Sequence, residues 1–295
     1  MNNTDKKNTD TTDPFIIIDE ETGEKSYGGN QAWFPRQTMT YAGCGVIAAA
    51  NSLRELLCRN PGLYGQAEGK LKLLGNVIVT KAEYISVIED LYHNMLVVEL
   101  PVANLIYDKT NTKFGSKLFR YIPPSFGMSA DSLIRGILRY ARKNGVLLHC
   151  CFLSAVFTEY DKGLSFIKKG LKEAGAVILM TSHNKHSLTV YQNTAGETSG
   201  QGTASYMKTH FATITDVIYK NDEPVIKLST WGKAATVSYK ELFESWQKRR
   251  AYVASMFYFL PESSKAMVRA DLRKSVAILP KAVIKTAAGK RKRRR

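Results

Sequence analysis

The spacing of apolar residues changes about midway along the chain, and this change constrains the fold more than any other feature. In the first half, apolar side chains recur every three or four residues, which is typical of helices with one buried face. After residue 175 they occur in short extended runs separated by glycine, asparagine and proline. Such runs predict strands joined by tight turns. Together they predict an α+β fold, with a helical lobe packed on an antiparallel sheet and a cleft between them.

Four helices are predicted in the first part of the chain from this periodicity and from capping signals. The first covers about 44–59 and ends before an Asn-Pro-Gly sequence. The second follows Thr80 and Glu83, which have the spacing of a capping box. The third begins near Ser129, and the fourth covers about 160–173 and ends before a glycine.

The second part of the chain is predicted to consist mainly of strands. A further short helix is predicted after Ser238 and Glu241, which again have capping-box spacing. Segments 29–43 and 193–205 are predicted to be loops. A short strand and a turn are expected within 15–29, and the other strands are predicted at 146–153, 176–182, 187–192, 206–220, 225–232 and 252–260.

Charge divides the chain unevenly and predicts three regions. Of the net charge of +16, most belongs to residues 264–295, which contain twelve Lys or Arg and one Asp. We expect a disordered segment at 1–13, a folded domain at 14–262 and a basic tail at 263–295. A tail of this kind could bind nucleic acid or another anionic surface without base specificity.

Several classes of protein are disfavoured by composition. Four cysteines in 295 residues do not make a disulfide framework. No run approaches the length of an apolar membrane span, and the first residues lack a secretory signal, so a cytoplasmic location is expected. There is no Gly-x-Gly-x-x-Gly or Walker motif, and His183 and His186 have no nearby cysteine or carboxylate. We therefore expect neither a cofactor nor a metal.

The sequence Gly43-Cys44-Gly45 stands at the start of the first predicted helix. A cysteine reacts as its thiolate, and the partial positive charge of a helix N-terminus stabilises that anion. Glycines beside it would let a substrate backbone come close. Cys44 is therefore a candidate nucleophile, provided that a base is near. In the predicted strand 206–220, His210 is a candidate base, because the small Ala212 shares its face.

The strand that returns after this one supplies candidate partners for His210. A hairpin between the two strands would bring either Ser229 or Thr230 near the level of the imidazole. It would also bring Trp231, an aromatic ring that could cover the histidine. These residues would orient and shield the base.

The order of these motifs resembles that of the papain-like cysteine peptidases, including bacterial peptidases that process bacteriocins. The shared order is an upstream glutamine, Cys-Gly at a helix start, a strand with histidine, and a hairpin partner ending in Trp-Gly. The stretch YGGNQAWF followed by CGVIAAAN also resembles a group of uncharacterised bacterial proteins with that fold. The resemblance covers about 29–260, and nothing in 98–128 contributes to it.

The resemblance implies roles for individual residues. Cys44 would attack a carbonyl as a thiolate, and His210, as imidazolium, would protonate the leaving amine. A glutamine would help to form the oxyanion hole. The distance along the sequence to Cys44 favours Gln37, whereas the YGG-x-Q-x-WF resemblance centres on Gln31. Trp231 would shield the histidine.

At the position of the third catalytic residue, this sequence differs from the papain-like family. Ser229 stands where papain-like enzymes have the asparagine of Asn-Ser-Trp-Gly, so the resemblance makes Ser229 the candidate orienter. A serine hydroxyl carries no charge and would hold the imidazolium less firmly. Asp216 is the nearest acid, but an extended strand would place it about 20 Å from His210.

Two functions follow as expectations. The first is a cysteine-dependent hydrolase acting on peptide or isopeptide bonds, or a transferase if an amine replaces water. The alternative is a weak or inactive papain-like scaffold whose tail, residues 264–295, binds nucleic acid or another anionic partner.

Overall fold

The computed structural model describes residues 13–95, 128–181, 185–191, 197–198, 201–248 and 254–262. Within these ranges the chain is α+β, as predicted, with helices in its first part and a large antiparallel sheet in its second. The predicted basic tail and all but the last residue of the predicted disordered segment lie outside the described residues.

Eight α-helices are described. The predicted helices at 44–59, after Thr80, after Ser129, at 160–173 and after Ser238 are all confirmed. They are α1 Gln37–Ala42, α2 Cys44–Arg59, α3 Pro61–Gln66, α4 Gly69–Leu73, α5 Lys81–His93, α6 Ala130–Lys143, α7 Tyr160–Ala174 and α8 Tyr239–Trp246, with 3-10 helices at Gln31–Trp33 and Ala155–Phe157.

Local capping determines the ends of the longer helices. The Thr80 hydroxyl accepts a hydrogen bond from the backbone of Glu83, whose carboxylate accepts one from the backbone of Thr80. Ser129 caps α6 in the same position, and Gly175, with φ of 82°, ends α7 in a left-handed conformation. Because these capping signals depend only on neighbouring residues, the helix ends can be predicted from the sequence.

The strands form two sheets. A small sheet, in the order β2-β1-β3, contains β1 Ile16–Ile18, β2 Lys25–Tyr27 and β3 Val79–Thr80. The large sheet has eight strands in the order β4-β11-β5-β8-β9-β10-β6-β7, and every neighbouring pair is antiparallel. Its strands are β4 Leu148–Ser154, β5 Val177–Met180, β6 His186–Val190, β7 Thr203–Met207, β8 Phe211–Lys220, β9 Glu223–Thr230, β10 Lys233–Ser238 and β11 Ser255–Pro261.

Four parts of the predicted arrangement of helices and strands are wrong. The segment 206–220 is two strands, since β7 ends at Met207 and β8 begins at Phe211 on a distant part of the sheet. Segment 193–205, predicted to be a loop, contains the start of β7. The strand β10 was not predicted, and α1 lies within the predicted loop 29–43. Because segment 206–220 is divided between β7 and β8, His210 lies just before β8 and not within a strand.

Two tight turns connect the central hairpins of the large sheet. Asn221 and Asp222, with φ of 51° and 63°, join β8 to β9. Trp231 and Gly232, with φ of 54° and 74°, join β9 to β10. Two consecutive residues with positive φ are typical of type I′ turns, whose twist matches that of the strands. Asparagine and glycine suit such positions, but tryptophan does not, so the backbone at Trp231 is strained.

Helix α2 lies at the centre of the molecule and packs against β8, α5 and the neighbouring helices. Every residue from Gly45 to Leu57 is buried. This packing fixes the first turn of α2 against the start of β8, which brings Cys44 and His210 to the same region. Within the described ranges, none of the helices has both the length and the apolar character needed to cross a membrane.

Substitution of Gly28, in the Tyr-Gly-Gly segment before the 3-10 helix, is expected to destabilise the protein strongly. An added Cβ at Gly28, where φ is 75°, would lie 2.0 Å from Oγ of Ser229. We expect Gly28→Ala to lower the free energy of unfolding by about 3 kcal/mol, because it combines backbone strain with overpacking. Urea denaturation measures this change.

Gly65 in α3 provides the matched control, because an added Cβ there meets nothing within 4 Å. Gly65→Ala should stabilise the protein by about 0.5–1 kcal/mol through helix propensity. Equal effects of the two substitutions would contradict the close packing at Gly28.

Candidate active site

Several residues that the sequence singled out, Ser229 among them, line one small crevice. Cys44 is the first residue of α2, His210 directly precedes β8, Thr230 and Trp231 follow one another at the end of β9, and Gln31 comes from the 3-10 helix. The crevice has a volume of about 10 Å³, which is room for about one water molecule. A larger ligand would therefore lie across its mouth.

The first turn of α2 is held by close packing. Gly43 separates α1 from α2, and a Cβ there would lie 2.2 Å from the ring of Phe34. At Gly45 a Cβ would lie 3.2 Å from Met128 and from Phe211. The glycines that flank Cys44 thus allow neighbouring side chains to approach, whereas the sequence suggested that they make room for substrate. The Cys44 side chain remains partly exposed.

His210 is fixed through both its backbone and its ring. Its backbone N–H donates to the hydroxyl of Thr181, at 2.9 Å, and its carbonyl accepts from the backbone N–H of the same residue. Nε2 of the imidazole lies 2.8 Å from Oγ1 of Thr230. The ring of Trp231 covers the imidazole, with ring centres 5.1 Å apart and planes inclined by 33°. These contacts leave Nδ1 as the ring nitrogen for another partner.

The structure corrects the expectation that Ser229 orients the histidine. The Ser229 hydroxyl donates to the carbonyl of Tyr27 at 2.9 Å and accepts from Nδ2 of Asn51 at 3.1 Å. Neighbouring residues in a strand point to opposite faces, so Ser229 and Thr230 cannot both face His210. Thr230 provides the contact. Its position is one residue later than the resemblance implied.

The two candidate glutamines lie in different environments. Gln31 begins the 3-10 helix, is partly buried and lines the crevice; the side chain of Asn30 caps that helix by accepting from the backbone of Ala32. Gln37 begins α1, is exposed and is not among the residues that line the crevice. Of the two, Gln31 is the one that lines the same crevice as Cys44.

A buried amide network lies directly behind the crevice, and sequence analysis missed it. The side chain of Asn51 accepts from the backbone N–H of Gly29 at 3.1 Å and from the hydroxyl of Tyr84 at 2.7 Å. It donates to Ser229 at 3.1 Å and to Thr213 at 3.5 Å. An asparagine between the apolar run 46–50 and Leu53 of a buried helix was the available signal, because a buried amide requires partners.

Burial determines the charge state of the two reactive groups. It raises the pKa of the Cys44 thiol, although hydrogen bonds from the backbone at Phe211, Gly45 and Cys44 itself act in the opposite direction. Burial also lowers the pKa of His210, to about 4. At neutral pH both groups are therefore uncharged in this conformation. The thiolate–imidazolium pair that the resemblance implied is disfavoured, because burial penalises both charges.

No metal centre is formed by the part of the chain that the structure describes, where no group of three or more His, Cys, Asp or Glu side chains could hold an ion. His186 is fully buried in β6, and burial lowers its pKa. His183, the other histidine of the pair noted in the sequence, lies outside the described residues.

No model of a known protein family matches this chain, and no curated protein matches it significantly. What the site can do chemically follows from its own groups: a thiol, an imidazole with a hydroxyl partner, and a primary amide. A thiol and an imidazole in one crevice can combine nucleophilic attack with proton transfer.

The low pKa of His210 predicts how stability depends on pH. In the unfolded chain a histidine binds a proton near pH 6.5, whereas folded His210 stays neutral down to about pH 4. The unfolded state therefore binds more protons between these values, and stability falls as the pH is lowered from 6.5 to 4. Since the ring is partly exposed, we expect His210 to account for about 2 kcal/mol of this fall.

Chemical denaturation at several pH values tests this expectation. His210→Gln should show a decline that is smaller than that of the wild type by this amount. His93→Gln, at an exposed histidine on α5, should keep the wild-type decline. A His210→Gln variant with an unchanged pH dependence would contradict the assignment.

Proposed function

We propose that this chain is a cysteine-dependent hydrolase with a papain-like fold, which cleaves peptide or isopeptide bonds through an acyl-enzyme on Cys44. The observation that carries the proposal is one crevice lined by Cys44, Gln31 and His210, with His210 bonded to Thr230 and covered by Trp231. These residues come from four separate elements of the chain, so their convergence is a property of the fold.

The order of the elements supports the papain-like part of the proposal. A cysteine begins the central helix α2, and the histidine directly precedes a strand of the antiparallel sheet. The adjacent strand, β9, ends in Thr230 and leads into the Trp-Gly turn. This is the order that the sequence resemblance implied, with the partner of the histidine moved by one residue.

The proposed reaction begins from the neutral pair. The Nε2–H group of the imidazole donates a hydrogen bond to the hydroxyl of Thr230. The lone pair of Nδ1 is then available to accept the thiol proton. As the sulfur of Cys44 attacks the carbonyl carbon, Nδ1 takes that proton. The imidazolium then protonates the leaving amine, the C–N bond breaks, and a thioester remains on Cys44. Water, activated by His210, hydrolyses this thioester; an amine in its place gives acyl transfer.

The oxyanion would be stabilised by the amide of Gln31 and by the backbone at the first turn of α2. Negative charge develops on the carbonyl oxygen beside a helix N-terminus, where backbone N–H groups and the helix dipole favour an anion. Thr230 offers the transient imidazolium only a neutral hydroxyl. The proposed enzyme would therefore work by general-base catalysis and more slowly than one with a charged or amide partner.

Alkylation of the cysteines tests the role of His210. Iodoacetamide at pH 7.5, followed by peptide mass spectrometry, should modify Cys44 faster than Cys58, Cys150 or Cys151. His210→Ala should slow the modification of Cys44 at least about tenfold, because the general base is lost. His93→Ala, the same substitution on the exposed face of α5, should leave the rate unchanged.

Equal rates of Cys44 alkylation in the wild type and in His210→Ala would contradict the proposal. They would favour the alternative, an inactive scaffold that acts through residues 264–295. The neutral pair, and the neutral hydroxyl of Thr230 as the partner of His210, are the observations that favour this alternative. Removal of that tail provides a separate test, because all residues of the proposed site lie between Gln31 and Trp231: an enzyme should retain the alkylation of Cys44.

The two glutamines make a matched pair for the oxyanion hole. Gln31→Ala should lower the rate of acylation by 4-nitrophenyl acetate about a hundredfold, whereas Gln37→Ala should leave it unchanged. Alkylation by iodoacetamide forms no oxyanion, so both variants should react with it like the wild type. A slow alkylation of Gln31→Ala would instead indicate that the fold at Cys44 is disturbed.

A further inference from the structure

The hydroxyl of Thr181 lies where the chain enters β8, and it contacts the backbone of that segment at several points. It accepts a hydrogen bond from the backbone N–H of His210 at 2.9 Å. It also lies 2.9 Å from the carbonyl oxygen of Lys208 and 3.1 Å from that of His210, and its proton can be donated to either. Thr181 is fully buried, so solvent does not compete for these bonds.

Thr181 stands where the pairing between β5 and β8 stops. Met180 and Phe211 are the last paired residues, and the backbone N–H of Thr181 donates to the carbonyl of His210 one step further. In a regular antiparallel ladder the N–H of His210 would return this bond to the backbone carbonyl of Thr181. Here the side-chain hydroxyl accepts it. The hydroxyl therefore ends the ladder at His210 and sets the direction in which the chain leaves the sheet.

The residue type suits this position. Threonine is branched at Cβ, so its χ1 angle is restricted and its hydroxyl is held in one place. Valine has nearly the same shape without the hydroxyl, and serine has the hydroxyl without the second branch. Substitution by each of them consequently separates the packing of this side chain from its hydrogen bonds.

The segment that Thr181 holds carries groups that contact other residues of the crevice. Nε2 of His210 lies 2.8 Å from Oγ1 of Thr230, so that this bond and the backbone position together fix the ring. The backbone N–H of the next residue, Phe211, donates to the sulfur of Cys44. A displacement of this segment would therefore move the imidazole relative to both the hydroxyl and the thiol.

We propose that Thr181 is the positioning residue of His210, because its hydroxyl holds the backbone that places the imidazole between Thr230 and Cys44. The inference rests on the proposed function for the role of the imidazole as a base, and on the contacts of the hydroxyl for its position. In the sequence, Thr181 lies within the predicted strand 176–182 and belongs to no motif.

The imidazole N–H signal in a proton–nitrogen NMR spectrum reports the position of His210 without any reaction. The full-length wild type at pH 7.5 should show a slowly exchanging Nε2–H, because this group is bonded to Thr230. The signal is assigned by its absence from His210→Ala. Thr181→Val should lose it, and Thr181→Ser should retain it. Thr236→Val, at a buried threonine of β10 that does not line the crevice, is the control and should retain it as well.

The rate of Cys44 alkylation at pH 7.5 measures the consequence for the reaction. Thr181→Val should lower this rate about fivefold, since a misplaced base accepts the thiol proton less readily. Thr181→Ser and Thr236→Val should react like the wild type. In the His210→Ala background, Thr181→Val should have no further effect, because it acts through the imidazole. Thr181→Ala, which places no methyl group beside the polar atoms, replaces Thr181→Val should the latter not fold.

The outcomes separate this inference from the proposed function. A Thr181→Val protein that keeps the N–H signal of His210, or a Thr181→Ser protein that loses it, would overturn the positioning role even if Cys44 reacts as expected. Equal slowing by Thr181→Val in the wild type and in His210→Ala would overturn it too, since the effect would bypass the imidazole. Loss of the signal in Thr181→Val alone would support the positioning role even if His210→Ala is alkylated at the wild-type rate, in which case only the proposed function fails.

Discussion

The side-chain amide of Asn51 joins the parts of the chain on which the candidate site depends. From the middle of the central helix it bonds to the segment that carries Gln31, to α5, and to the adjacent strands β8 and β9. Both donors and the oxygen of the amide are used, and the group is buried. Replacing it with an apolar residue would remove the partner of the buried backbone N–H of Gly29, at a cost of about 1–3 kcal/mol, and would also remove one hydrogen bond each from Tyr84, Ser229 and Thr213.

This network also explains why the partner of His210 is Thr230 and not Ser229. Ser229 is turned towards Asn51 and the carbonyl of Tyr27, so the next residue, Thr230, is turned towards His210. The hydroxyl that results is neutral, and burial keeps the imidazole and the thiol neutral as well. The charge state of the site thus follows from packing around α2 and not from an ion pair.

The local part of the fold could be predicted, and the long-range part could not. The central helix begins at Cys44 and ends at Arg59, as its apolar face and the following Asn-Pro-Gly sequence indicated. The sequence does not predict helix α3, because it begins at Pro61, a residue that signals the end of the preceding helix, and because six residues are too few to show a period. The split between β7 and β8 was missed because the residues of 206–220 favour an extended conformation throughout. The break between the two strands depends on their pairing with different distant strands, β6 for β7 and β5 for β8.

By itself, the sequence determined the α+β class and the ends of the capped helices, and it singled out one cysteine and one histidine as candidates for a common site, because these follow from local periodicity and from residue chemistry. Only the tertiary structure places Gln31, and not Gln37, in the crevice beside Cys44, and brings Thr230, and not Ser229, into a hydrogen bond with His210. Each of those choices depends on which face of an element is turned to the crevice. That orientation is set by strand register and by contacts with residues far away in the sequence, above all with Asn51 on the buried helix.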